Sequence, residues 1–291
     1  MKLTRRALLA SAGALGVGGL AGCSGLDVLG GDSAPGTPAG DGPPLAADSL
    51  YLGYSPSEIR DNIVSGGVEQ DGIPSVDDPQ FQPASEASIP DDDPVFGVVR
   101  DGEARAYPQY ILVFHEIVND TVGGDAVAVT YCPLTGTAQG FERGSVEFGV
   151  SGMLVNSNLI MYDRGTETWW PQMLATGVQG ELLGEALQEF RVTCTTWGEW
   201  REVHPGTQVL TEDTGYQRRY GSDPYGAYNP RSGYYAEDDT LFEPLTDDDR
   251  VDPKRMVIGT RTADGAVTFD KQSLLESSVL TGTVADTEYV A

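Results

Sequence analysis

Short runs of apolar, β-branched and aromatic residues recur along the chain, each closed by turn-forming residues. That pattern is the signature of half-buried strands joined by tight turns. The stretch PVFGVVRDGEARAYP at 94–108 reads as a hairpin turning at Arg100-Asp101-Gly102. AVAVTY (126–131), TAQGFER (137–143), SVEFGVSGML (145–154) and NLIMYDR (158–164) continue it, with another tight turn at DRGTE. Helical spacing is rare. Pro108 followed by Ile111, Leu112, His115 and Ile117 predicts one short amphipathic helix, and Thr196 with Glu199 three residues on predicts a capped helix over WGEWREVH. The expected class is mainly β, an α+β arrangement with few short helices, forming a single β-rich domain over 50–291.

The hairpin stretch recurs. PVFGVVRDGEARAYPQYIL at 94–112 is echoed by MVIGTRTADGAVTFDKQSLL at 256–275, with Gly97 against Gly259 and, after one inserted residue, Gly102 against Gly265. This predicts a partial internal repeat whose second half, from about residue 255, is incomplete.

Ahead of the domain the pattern changes. Lys2, Arg5 and Arg6 precede an apolar stretch from Ala7 to Gly22 that glycines interrupt. It is shorter than the roughly 20 apolar residues a spanning helix needs, so residues 1–22 read as an export signal. The Arg5-Arg6 pair resembles a twin-arginine signal, and Leu20-Ala21-Gly22-Cys23 resembles a lipobox, making Cys23 the lipid-attachment residue. Cleavage near Ala21 with a free Cys23 thiol is the alternative. Residues 23–49, rich in Gly, Pro, Ser, Ala and Asp, carry too little apolar surface to fold and are expected to form a disordered tether. The expected location is the outer face of the cell membrane, with the membrane as a partner through the lipid anchor alone.

Charge narrows the partners. With 44 acidic against 18 basic residues the chain carries a formal −26, which repels nucleic acid and anionic lipid headgroups. A surface this acidic resembles that of proteins from salt-rich surroundings. Asp91-Asp92-Asp93 and Asp247-Asp248-Asp249 read as solvated loops, since neither has the alternating ligands and glycine turn of a calcium loop. Three cysteines are too few for a disulfide framework: with Cys23 lipidated only Cys132 and Cys194 could pair, and nothing local indicates that they do.

Six blocks in order, GGVEQDGIPSVDDPQF, DPVFGVVRDGEARAYP, HEIVNDTVGG, VTYCPLTGTAQGFER, FGVSGMLVNSNLIMYDRGTETWWPQ and TWGEWREVHPGTQVL, together resemble the domain of unknown function 3179 family. The likeness spans Glu58 to Ala291, and with its leader and acidity the chain resembles a haloarchaeal-type lipoprotein member. The resemblance implies a fold and recurrent residues but no reaction. The family's usual Tyr-Cys-Pro-Leu-Cys-Gly block stands here as Tyr131-Cys132-Pro133-Leu134-Thr135-Gly136, which argues against dithiol redox chemistry or a two-thiolate metal site.

His115, Cys132 and His204 have the widest chemical repertoire in these blocks. One expectation is a Cys132-centred pocket for a small ligand or a transition metal, with His115, Cys132 and His204, and Met153 or Met161, as ligands. A second is an enzyme, a transferase or hydrolase, in which His115 promotes the Cys132 thiolate and the backbone of 133–136 holds an oxyanion. A third is a non-catalytic sugar- or peptide-binding surface. Asn156, Asn158, Tyr162, Asp163, Trp170 and Gln172 lie on two adjacent strands, and Trp197, Trp200, Tyr216, Tyr220, Tyr225 and Tyr228 follow. Against all three stands the bland alternative, in which the histidines are buried and hydrogen-bonded, Cys132 fills space, and Trp197 and Trp200 are core. Asn119-Asp120-Thr121 fits a glycosylation acceptor or a turn.

Overall fold

The computed structural model describes residues 42–228, 230–246, 248 and 250–291. The leader, Cys23, the tether up to 41, Asp247 and Asp249 lie outside the described residues.

In chain order the first part carries helix α1 (Pro56–Asp61), β1 (Val64–Ser65), β2 (Phe81–Pro83), β3 (Pro94–Arg100), β4 (Glu103–Pro108), helix α2 (Gln109–Leu112), β5 (Ile117–Val122), β6 (Asp125–Cys132), β7 (Thr137–Glu142), β8 (Phe148–Val155), β9 (Asn158–Asp163) and β10 (Trp169–Pro171). Then come β11 (Glu189–Phe190), β12 (Thr193–Thr196), helix α3 (Trp197–Val203), β13 (Gln208–Leu210), β14 (Gly226–Tyr228), β15 (Arg231–Gly233), β16 (Val257–Thr262), β17 (Gly265–Asp270), helix α4 (Lys271–Ser277), β18 (Thr281–Val284) and β19 (Thr287–Val290). The protein is mainly β, as the short strand-forming runs predict.

Three sheets stack. β11-β7-β6-β5 lies in the middle, β12-β3-β4-β13-β2 covers one face and β1-β8-β9-β10 the other. Along β5 and β6 one set of side chains (Val118, Val122, Val127, Val129, Tyr131) packs with Phe96, Tyr107 and Leu210 of the first covering sheet. The alternate set (Ile117, Ala128, Cys132) packs with Phe148, Leu159, Met161 and Trp170 of the second. A strand covered on both faces loses the polar alternation of a half-exposed one, which is why β6 reads as a continuous run.

Local signals set the corners. Asp101 and Gly102 take φ of 44° and 82°, the left-handed pair that a two-residue hairpin needs. Thr196 caps α3, its hydroxyl accepting the Glu199 amide at 3.4 Å, and drives Trp197 and Trp200 into the core. Trp200 lies flat over Gly97 of β3, where a Cβ would sit 2.2 Å from the indole. Helix α2 is shorter than the apolar spacing predicts: it stops at Leu112, and His115 lies beyond it. The tether is also shorter than expected. Gly42 and Pro43 are buried, and the Ala46 amide bonds the Ala186 carbonyl at 2.8 Å, so the chain is pinned from residue 42.

The order β3-β4-α2-β5-β6 returns as β16-β17-α4-β18-β19 at a constant offset of about 162 positions, with no insertion. Both first hairpins have two-residue turns, pairing Arg100 with Glu103 and Thr262 with Gly265. Gly102 therefore matches Asp264, and the one-residue insertion drawn from the glycines disappears. Even backbone irregularities repeat: Glu116 and Ser278 have φ of 60° and 62°, Gly123 and Ala285 of 61° and 49°.

Candidate functional site

His115 and Cys132 do not meet. The His115 Nδ1–H donates to the Pro74 carbonyl at 2.8 Å, which leaves Nε2 to accept the Tyr220 hydroxyl at 2.7 Å. Tyr220 in turn is bonded by Thr214 at 2.6 Å. Burial lowers the His115 pKa, so the ring is a neutral link between segments. His204 is no closer to a ligand role: it ends α3 and lies against Trp200 with ring centroids 4.2 Å apart and the planes tilted by 43°. Among the described residues no three His, Cys, Asp or Glu side chains are placed to hold a metal. Met161 shares the apolar cluster of Cys132, and Met153 packs around Ile59, Val155 and Ile160.

The thiol itself is buried at the end of β6, pointing at the Ser157 carbonyl at 3.6 Å. Burial, and then the charge of Glu116, push its pKa up to about 11. Thiolate formation is opposed rather than promoted, which removes the basis of the nucleophile expectation. Cys194, on β12, is exposed, and both cysteines are free.

The strand residues expected to face a sugar or peptide are mostly inside. Asp163 accepts the amides of Gly165 and Thr166 at 3.1 and 2.6 Å, the Thr166 hydroxyl and the Trp170 indole N–H at 2.9 Å. Asn158 donates to Gln172 at 2.9 Å, and Gln172 donates to Thr130 at 2.8 Å, tying the β8–β10 layer to the middle sheet. Tyr162 donates to Asp71 at 2.5 Å. Asn156 is exposed but spends its carbonyl on the Leu245 amide at 2.6 Å. Asn119 is buried in β5, donating to Asp77 at 2.7 Å and the Phe148 carbonyl at 2.9 Å, so it is not a glycosylation acceptor in the folded chain.

What surrounds the Cys132 turn instead is a tyrosine cluster brought over it by residues 220–235. Tyr131 and Tyr228 share a short hydroxyl contact, Tyr228 and Tyr235 stack at 4.3 Å, and Tyr234 donates to the Leu134 carbonyl at 3.1 Å. Asp223 anchors the set, accepting Gln109 and Tyr235 at 3.0 Å each and the Tyr225 amide at 2.8 Å. Burial pushes Tyr225 and Tyr228 up to about 12, so their hydroxyls stay protonated donors.

On the outer side of this cluster lies a cleft of about 310 Å³. Its walls include Tyr110, Tyr220 and Tyr228, four carboxylates (Asp92, Asp93, Glu212, Asp223) and the Gln109 amide, with no Lys or Arg among the described residues that line it. Burial and the neighbouring Asp92 raise the Asp93 pKa, the mark of a partly desolvated negative site. On the inner side stands Glu116. It is 6% exposed, sits in a left-handed conformation and makes no side-chain hydrogen bond among the described residues; burial pushes its carboxyl up to about 8. Tyr220, Tyr225 and Tyr228 were among the aromatics expected at a binding surface, but no sequence signal marked Tyr110, Glu212 or Asp223, and nothing in HEIVND marks Glu116, because its burial follows from the turn between α2 and β5.

The family model for "Protein of unknown function (DUF3179)" matches residues 70–291. The chain belongs to this family. Neither the curated proteins nor the solved structures contain a match to it. The DUF3179 match takes in the middle sheet, the cleft and the repeat, so the cleft and Glu116 belong to the family portion of the chain.

Proposed function

We propose that the protein is an exported, lipid-tethered binding protein for a small organic cation, held in the cleft between residues 88–94 and 220–228. One observation carries this reading: three tyrosines and four carboxylates line a cleft that has no basic side chain among the described residues. A protonated amine gains from both, because ring quadrupoles attract cations and desolvated carboxylates pair with them. The carboxylates alone would attract any cation, including dissolved metal ions. The rings favour one with an organic body.

Export and tethering rest on Arg5-Arg6 and on the Leu20-to-Cys23 motif. Cys23→Ala should move the protein out of the membrane fraction.

Calorimetric titration in molar KCl with an alkylamine, an amino sugar, a neutral sugar and a carboxylate of like size tests the binding reading. Amines should bind, and Glu212→Gln and Tyr110→Leu should each weaken them by about tenfold. Equal binding of the neutral sugar defeats the proposal.

A further inference from the structure

The cleft presents carboxylates from two separate segments of the chain. On one wall the 90–93 turn is closed by the Asp93 amide on the Pro90 carbonyl at 3.1 Å and fastened to the start of α3, where the Trp197 amide donates to the Asp93 carbonyl at 2.8 Å and the Gly198 amide to the Asp91 carbonyl at 2.9 Å. Asp93 is therefore held firmly at the cleft, while its carboxylate makes no hydrogen bond or ion pair among the described residues. On the other wall Glu212, two residues beyond β13, is likewise without a side-chain partner among the described residues. Tyr110 is close to both: burial, and then the charges of Glu212 and Asp93, push its hydroxyl up to about 12, so it stays protonated.

A neutral group adds an acceptor. Gln109 lines the cleft and is only 4% exposed. Its Nε2 donates to Asp223 at 3.0 Å, which fixes which end of the amide is which, and its Oε1 accepts no hydrogen bond among the described residues. A nearly buried acceptor left unspent is a place for a ligand's N–H. The arginines nearest the walls are turned elsewhere: Arg201 pairs with Asp91 at 2.5 Å, and Arg218 lies 6.0 Å from the centre of the Tyr216 ring.

Resting on the organic-cation reading above, we infer that the occupant is a short aliphatic diamine, with one ammonium on Glu212, the other on Asp93, and the chain between them against Tyr110. Two cationic ends are needed because a monoamine would leave the carboxylate of one wall partly desolvated with no counter-charge. The ends carry N–H groups because carboxylates and the Gln109 oxygen are acceptors only, and a quaternary ammonium has nothing to donate to them. A divalent metal ion concentrates both charges at one point, whereas no three side chains among the described residues are placed to hold one. Size limits the length. At about 310 Å³ the cleft lies at the small end of organic-ligand sites, which run to roughly 1,000 Å³, so a short chain fits and a long polyamine does not.

Calorimetric titration of the full chain in molar KCl with cadaverine, pentylamine and fully N-methylated cadaverine tests this. Cadaverine should bind once per chain and about tenfold more tightly than pentylamine, and the methylated diamine no more tightly than pentylamine. Asp93→Asn keeps the shape of the side chain and removes one charge. It should cost cadaverine about tenfold and pentylamine less, so that the gap between them closes. The comparison of ligands on the wild-type chain holds whether or not the variant folds. Cadaverine binding no more tightly than pentylamine, methylated cadaverine matching cadaverine, magnesium chloride displacing cadaverine at equal concentration, or a gap that survives Asp93→Asn would each overturn the diamine while amine binding stands. Should no amine bind at all, the organic-cation reading falls and the diamine with it.

Discussion

Glu116 and Cys132 are buried together at one end of the middle sheet: the Glu116 carbonyl accepts the Tyr131 amide at 2.7 Å, and the Glu116 carboxylate raises the thiol pKa. The residue next to the expected histidine, not the histidine itself, is the neighbour of the cysteine. The pair sets two measurable behaviours.

Burial pushes Glu116 up to about 8, while an unfolded chain's glutamate titrates near about 4.3. Between those values the folded protein keeps a proton that the unfolded chain has released. Its stability therefore falls as pH rises through this window and levels off above it. Glu116→Gln removes the effect, so the variant should gain on the wild type by a few kcal/mol between about pH 4 and pH 8. Denaturant unfolding across that range checks this; a difference that does not change with pH contradicts it.

The two thiols should separate by rate. Exposed Cys194 should react with iodoacetamide in the folded protein, while buried Cys132, pushed up to about 11, should react only on unfolding. Peptide mass mapping before and after denaturation reads both. Prompt labelling of Cys132 in the native state would restore the nucleophile expectation.

Gly97 has no room for a methyl group, because a Cβ would lie 2.2 Å from the Trp200 ring. Gly97→Ala should cost about 1–3 kcal/mol in overpacking, with α3 displaced from β3. Gly53→Ala, which meets nothing within 4 Å, is the control and should be near neutral. Urea midpoints for the two variants decide it.

The net charge of −26 should make the fold salt-dependent. At 0.01 M salt charges interact over roughly 30 Å, and at 1 M over roughly 3 Å, so self-repulsion is largely screened in molar salt. The melting temperature should rise between those conditions. A flat response would show that the carboxylates are spaced or paired well enough to stand without screening.

Much was legible from the chain alone. Strand-forming runs closed by turn residues gave the hairpins, Thr196 and Glu199 gave α3, the paired tryptophans gave core, and self-likeness located the repeat, because these follow from interactions within a few residues or from comparing two stretches. Sequence also set the charge. It misplaced the chemistry. His115 lies between Pro74 and Tyr220, Gln172 links Asn158 to Thr130 of the middle sheet, and Asp163 serves the indole of Trp170, since which polar side chains are enclosed depends on sheets stacking across long separations. The tyrosine cleft and Glu116 were decided only there: residues 220–235 reach the Cys132 turn across about 100 positions, and burial, which shifts every pKa in the site, is a property of the packed layers and of no residue by itself.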